Sequence, residues 1–160
     1  MNYLKKLKIR QVKGKYKNPI KGQIIKPKQV YQIFQSIKDK AQETLIVVYL
    51  NYDLESIAYN VLSTGSRSET TIDFDEIYGY GFVIKARYYI LIHNHPSGQA
   101  RPSSGDRQLI ESFKDYANLK MRPLDFIIIG DKDFDKNKKS YWSLSEEQDS
   151  GNYLLGSVIN

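Results

Sequence analysis

Tyr88-Tyr89-Ile90-Leu91-Ile92-His93-Asn94-His95-Pro96-Ser97-Gly98, continuing through Gln99-Ala100-Arg101 to Pro102-Ser103-Ser104-Gly105-Asp106, decides how this chain is read. The apolar run Tyr88 to Ile92 predicts a buried strand, and it ends in the only two histidines of the protein. Alternate residues of a strand project to one side, so imidazoles at i and i+2 converge on one point. Asp106 follows a Pro/Ser/Gly loop that can bring a carboxylate to the same point. His93, His95 and Asp106 thus predict a three-ligand metal site with an open fourth position, the arrangement of catalytic zinc. Ser103-Ser104-Gly105-Asp106 has a second reading as a capping box, in which Ser103 caps the next helix and the N3 residue reaches back. The two readings are compatible, because a helix N-terminus is a good place to fix a carboxylate.

Outward from this stretch, helical and strand patterns alternate. Pro27 suits a first helical turn, and Val30, Ile33, Phe34 and Ile37 predict a helix over roughly 28–42. Glu43 to Leu50 reads as a central strand, Asn51-Tyr52-Asp53 as a turn, and Ser56 to Leu62 as the returning strand of a hairpin. Asp73 is a candidate N-cap for a helix through Phe74, Ile77, Tyr78, Phe82 and Ile84. Gly79 and Gly81 inside that helix imply close packing on a sheet. Beyond the motif, Leu109, Ile110, Phe113, Tyr116 and Ala117 mark a further helix, Leu124 to Ile129 a buried strand, and Tyr141 to Leu144 a short one. From Ser145 onward the sequence reads as a weakly ordered tail. The pattern predicts one α/β domain, a mixed β-sheet flanked by helices, with no repeat.

Charge divides the chain more sharply than its total of +6 conveys. Ten of the 24 basic residues lie in residues 1–28 with no acid, and the remaining 14 face all 18 acids, a net of −4. The domains are therefore read as a basic N-terminal arm (1–23), a catalytic-sized domain (24–146) and a C-terminal tail (147–160). The arm suits salt-sensitive contact with DNA phosphates. Leu4, Leu7, Ile9 and Val12 also suit an edge strand guarded by lysine. With no cysteine, disulfides and Cys-rich zinc sites are excluded. No apolar run reaches membrane-spanning length and no signal-peptide core follows the basic start, so a cytoplasmic protein with no membrane partner is expected.

The pattern His93-x-His95-Pro96-Ser97-Gly98-x3-Pro102-Ser103-x2-Asp106 resembles the metal-binding signature of the JAMM (JAB/MPN+) metallohydrolases, and its Pro-Ser-Gly and Pro-Ser elements resemble the RadC branch. Glu43 before an apolar strand, Gly65 after the return strand, Glu76 to Phe82 before the motif strand, and Leu124-Asp125 followed by Ile127 to Gly130 extend the resemblance over roughly residues 24–146. It implies a cytidine-deaminase-like JAMM/MPN core. His93, His95 and Asp106 would be ligands of Zn2+, with water in the fourth position. Ser103 would orient that water or donate to the oxyanion. Glu43 would be the general base, an assignment resting on its place before the strand; Glu55, Glu69 and Asp73 are the other acids open to that role.

The implied activity is zinc-dependent hydrolysis of an amide in a peptide or protein substrate, as a metallopeptidase or isopeptidase, in a DNA-repair or mobile-element setting. Two other readings differ in class. One is a DNA-repair accessory protein that binds DNA through the arm, its metal site secondary or nucleolytic. The other is an interaction module with structural zinc, which three ligands and an open loop disfavour. Phe126 stands where the family commonly has histidine, and Asn51 where it has aspartate. The arm stands in place of the helix-hairpin-helix domain found upstream in longer RadC proteins.

Overall fold

The computed structural model describes residues 6, 8, 10–65, 72–115 and 120–147. Five strands form one mixed sheet: β1 (Thr44–Leu50), β2 (Ser56–Thr64), β3 (Tyr88–Asn94), β4 (Arg122–Ile129) and β5 (Tyr141–Ser143), in the order β2-β1-β3-β4-β5. β1 pairs antiparallel with both β2 and β3, β3 parallel with β4, and β4 antiparallel with β5. Four helices accompany them: α1 (Pro27–Phe34), α2 (Phe74–Val83), α3 (Ser104–Asp115) and α4 (Leu144–Glu147). Among the described residues no helix is long and apolar enough to cross a membrane.

Why β1, β3 and β4 are central follows from composition. Each is buried along nearly its whole length, as a strand covered on both faces must be. Ile46, Val48, Leu50, Ile90 and Ile92 meet Val30, Ile33, Phe34 and Ile37 on one face. Leu45, Val47, Tyr49, Leu91 and Phe126 meet Ile77, Tyr78 and Ile110 on the other.

Local details revise several expectations. α1 stops at Phe34, and a 3-10 turn over Gln35–Asp39 replaces the expected continuation to residue 42. That tighter turn keeps Ile37 fully buried and delivers the chain to Asn94, whose Nδ2 donates to the carbonyls of Lys40 and Gln42 (both 3.4 Å). Asp73 caps α2 as expected, accepting from the N–H groups of Asp75 (2.9 Å) and Glu76 (3.3 Å). Gly81 is closely packed, since an added Cβ would run into Met121 Sδ and lie 3.1 Å from Tyr49 Cε1. Gly79 is not, because nothing lies within 4 Å of its Cβ position. Ser145 does not begin a loose tail: Leu144 and Ser145 are buried in the β5–α4 corner.

Of the arm, Leu4, Leu7 and Ile9 lie outside the described residues, as do Glu69, Tyr116 and Ala117. The described arm forms no strand. It lies across β2 through side chains instead, with Asn18 Nδ2 donating to Ser56 Oγ (2.7 Å) and Lys15 N to Tyr59 Oη (2.9 Å). The Tyr16 ring packs on Phe34 (4.9 Å between centroids) and on Tyr59 (5.1 Å). Val12, proposed for an edge strand, is 74% exposed. Lys13, Lys15, Lys17 and Lys21 are all exposed, the Lys15 ammonium lying 5.1 Å from the Tyr16 ring centroid.

Candidate metal centre

Topology brings distant residues to one edge of the sheet. β3 ends in His93 and Asn94, and the chain then crosses through α3 to the parallel strand β4. Such crossovers leave a crevice beyond the carboxyl ends of the strands. β1 runs antiparallel to β3, so the start of β1 lies beside the end of β3; Leu45 pairs with His93. Glu43, two residues earlier on the same side as Leu45, therefore reaches the same crevice from 50 residues away. Asn94 fixes that approach, because its Oδ1 accepts from Thr44 N (2.9 Å).

The loop after His95 is shaped by its glycines. Gly98 has φ +74°, a conformation L side chains rarely adopt, and its N–H closes a turn onto the His95 carbonyl (2.9 Å). A Cβ on Gly130 would lie 2.6 Å from the Gly98 carbonyl oxygen, so glycine there lets the two loops touch. Asp131 N donates to that carbonyl (2.9 Å), and Ala100 N donates to Asp135 Oδ2 (2.9 Å). The ligand loop is thereby pinned to the turn after β4.

Ser103 and Asp106 form the capping box, with aspartate at N3. Ser103 N donates to Asp106 Oδ2 (2.8 Å) and Asp106 N to Ser103 Oγ (3.2 Å). The same carboxylate turns inward. His93 Nε2 lies 3.1 Å from its Oδ1 and His95 Nε2 3.0 Å from its Oδ2. Both capping and convergence therefore hold for one residue.

These donors fit a metal ion on their own chemistry. One ligand atom from each of His93, His95 and Asp106 lies within 4.8 Å of the others, and all three residues are buried. His95 Nδ1 lies 2.9 Å from the Gln99 carbonyl, which selects the Nδ1–H tautomer and leaves Nε2 as the inward ligand atom. The His93 and His95 rings stand perpendicular at 4.7 Å, so their nitrogens address one point from two directions.

Burial pulls the His95 pKa down, but bonding and charge from Asp106, with smaller effects of the Gln99 carbonyl and the Glu43 charge, leave it raised. Burial likewise pushes the Asp106 carboxyl up, yet the hydrogen bonds from His93, His95 and Ser103 hold it far below the usual carboxylate range. A buried carboxylate facing two imidazoles is a set of donors that could hold a cation.

Among the other candidate bases, Asp73 is occupied as the α2 cap, and Glu55 accepts from Asn51 Nδ2 (3.0 Å) at the opposite, hairpin end of β1. Asn51 is thus a turn residue. Ser103 Oγ donates to Asp106 Oδ2 (2.7 Å), which commits its proton to the ligand in this state. Sequence reasoning missed three contributors. Gln99 acts through its carbonyl, and Asn94 was passed over between the histidines although a polar residue at a buried strand end signals a latch. Phe126 packs beside His93 with its ring tilted by 31° at 5.3 Å between centroids, so the position that lacks histidine still buttresses His93.

A mixed α/β sheet with a His-His-Asp centre at the crossover edge defines a protein of the JAB type, equipped to hold a metal ion. The RadC-like JAB domain family matches residues 24–149, and the chain belongs to that family. Its relatives include a UPF0758 protein of Streptococcus suis (strain 98HAH33), 33% identical over 119 residues, covering 74% of this chain and 46% of the relative. A UPF0758 protein of Streptococcus gordonii (strain Challis) is 34% identical over 116 residues, covering 72% and 48%. One from Chlorobaculum parvum (strain DSM 263) is 31% identical over 107 residues, covering 66% and 48%. The chain spans about half the length of these curated relatives.

Proposed function

We propose that the protein is a zinc-dependent hydrolase of amide bonds, of the peptidase or isopeptidase kind. The observation that carries this reading is the convergence of His93, His95 and Asp106 at a strand edge shared with the start of β1, where Glu43 stands. Zinc in this centre supplies Lewis-acid polarisation of a scissile carbonyl and lowers the pKa of water to about 7. His93 and His95 would hold the ion through Nε2, and Asp106 through a carboxylate that Ser103 and the helix cap orient. Glu43 takes the proton of the attacking water and passes it to the leaving amine, a contribution of roughly 10²- to 10⁴-fold. Ser103, on the open side of the centre, turns its hydroxyl from Asp106 to the developing oxyanion. With three protein ligands, such a centre would leave a position for water that a closed structural zinc site lacks.

Metal analysis and peptide cleavage test this together. The purified chain should hold close to one zinc, and His93→Ala or Asp106→Ala should lose it. Glu43→Gln should keep the metal and lose hydrolysis of a mixed peptide pool by at least ~10²-fold. A metal-free wild type, or full hydrolysis in Glu43→Gln, would sink the reading.

A second role, DNA contact by the arm, is favoured by one observation. Tyr16 and Ile20 turn inward while Lys13, Lys15, Lys17 and Lys21 face solvent. Replacing these four lysines by glutamine keeps the Tyr16 anchor, and should flatten a salt-steep duplex-binding curve. Binding with an unchanged salt slope would reject the role.

A further inference from the structure

The solvent side of the centre is an open cleft of about 400 Å³, lined by His95, Ser97, Gln99, Arg101, Ser103 and Arg107. Two arginines line it and, among the described residues, no carboxylate does. Arg101 sits in the pinned ligand loop, and Arg107 in the first turn of α3 beside Asp106. Both are exposed, and among the described residues neither side chain makes an ion pair or hydrogen bond. Asp135, which Arg101 reaches through its charge, turns its oxygens to the N–H groups of Ala100, Asn137 and Lys139 instead.

The remaining polar groups are engaged. The Gln99 amide donates to the Phe134 carbonyl and accepts from Lys136 N, and the Ser103 hydroxyl donates to Asp106. A divalent ion would be offset by Asp106 and Glu43, and of the carboxylates near the cleft only Asp135 interacts with Arg101, its oxygens being taken up by backbone N–H groups. A cleft of one sign beside a reacting centre concentrates ligands of the other sign.

We infer that Arg101 and Arg107 form a carboxylate-binding subsite that selects peptides with an anionic group next to the amide presented to the centre. This rests on the amide-hydrolase reading. Guanidinium forks match carboxylates through paired, charge-assisted hydrogen bonds. A nucleic-acid backbone fits less well, because it calls for a continuous cationic track. Among the described residues of the arm, Lys15 and Asn18 are anchored on β2, which β1 separates from β3. The carboxylate comes either from an acidic side chain or from a free C-terminus.

Binding rather than turnover decides the matter. The zinc-loaded full chain carrying Glu43→Gln is titrated into three fluorescein-labelled hexapeptide pools, followed by anisotropy. One pool is C-terminally amidated with a fixed glutamate, one is amidated with glutamine in its place, and one has a free C-terminus and no acidic side chain. The glutamate or the free-acid pool should bind on the order of 10-fold tighter than the amidated glutamine pool, and which of the two does so identifies the source of the carboxylate. Arg101→Gln and Arg107→Gln should each remove most of that preference. Equal binding of all pools, no binding of any, or a preference indifferent to both arginines would overturn the inference. So would arginine-dependent binding of a duplex oligonucleotide in preference to every peptide pool. If the anionic preference holds while the unmutated chain cleaves none of these peptides, it is the hydrolase reading that fails.

Discussion

Asp106 and Asp125 are both fully buried in one domain, and their environments drive them in opposite directions. Asp106 faces two imidazoles and a serine, and stays ionised well below the ordinary range. Asp125 receives four hydrogen bonds, from Ser143 Oγ (2.7 Å), Ser145 Oγ (2.9 Å), Ser145 N (3.0 Å) and Phe126 N (2.8 Å). These neutral donors do not outweigh burial, which pushes its carboxyl up to about 6. Hydrogen bonds alone make a structural carboxylate that ties α4 to β4; facing imidazole nitrogens make a cation site. Removing a carboxylate from water costs several kcal/mol, so only groups able to carry or coordinate charge offset it fully.

Exchanging each carboxylate for its amide puts this contrast under the greatest strain. Asp106→Asn should abolish zinc binding and hydrolysis, whereas Asp125→Asn should keep close to one zinc per chain. Loss of metal in both, measured on folded protein, would erase the distinction.

Next in size is the pH dependence of stability. The folded state holds the Asp125 proton up to about pH 6, while the unfolded chain releases it near 3.8. Between those values the native state binds more protons, so stability falls as pH rises, and the full penalty of ~3 kcal/mol is present above about pH 6. Thermal unfolding of wild type and Asp125→Asn should therefore diverge across that window, with the slope weaker in the variant. Parallel curves would show an ordinary carboxyl. The lowered pKa of Asp106 has the opposite sign, its stabilisation being lost as pH falls below the usual carboxylate range.

The smallest effects belong to the hydroxyls. Ser145→Ala removes a donor from Asp125 and should cost about 1–3 kcal/mol in denaturant unfolding with metal content unchanged. Ser103→Ala removes a donor from Asp106 and should weaken zinc affinity by roughly 10-fold or more in a chelator competition. A change of metal affinity in Ser145→Ala would break the separation of the two regions.

Much of this was legible along the chain. The hairpin, the motif strand, the Asp73 cap and the three ligands depend on local pattern, and local pattern survives folding. The capping box and the metal-site reading of Ser103 to Asp106 are compatible along the sequence, and in the structure the Asp106 carboxylate makes both sets of contacts. The misreadings were non-local. Ser145 was assigned to a loose tail because nothing near it in sequence says that a buried aspartate twenty residues earlier requires its donors. Gly79 and Gly81 look equivalent in a helix, and only the positions of Met121 and Tyr49 separate them. Of the arm's alternating residues only Val12 lies among the described residues, and there the arm forms no strand but is held on β2 by the Tyr16 contacts with Phe34 and Tyr59.

What the sequence by itself determined was which residues come together: two imidazoles two residues apart on a strand and a carboxylate at a capping position eleven residues on, a group that could hold a metal ion. Only the tertiary structure decided what surrounds it. The antiparallel register of β1 on β3 places Glu43 at the same edge, the Asn94 latch fixes its approach, and the loop pinned by Gly98 and Gly130 sets Arg101 and Arg107 facing the cleft. Those relations join residues far apart in the chain, and strand pairing and packing, rather than local propensity, bring them together.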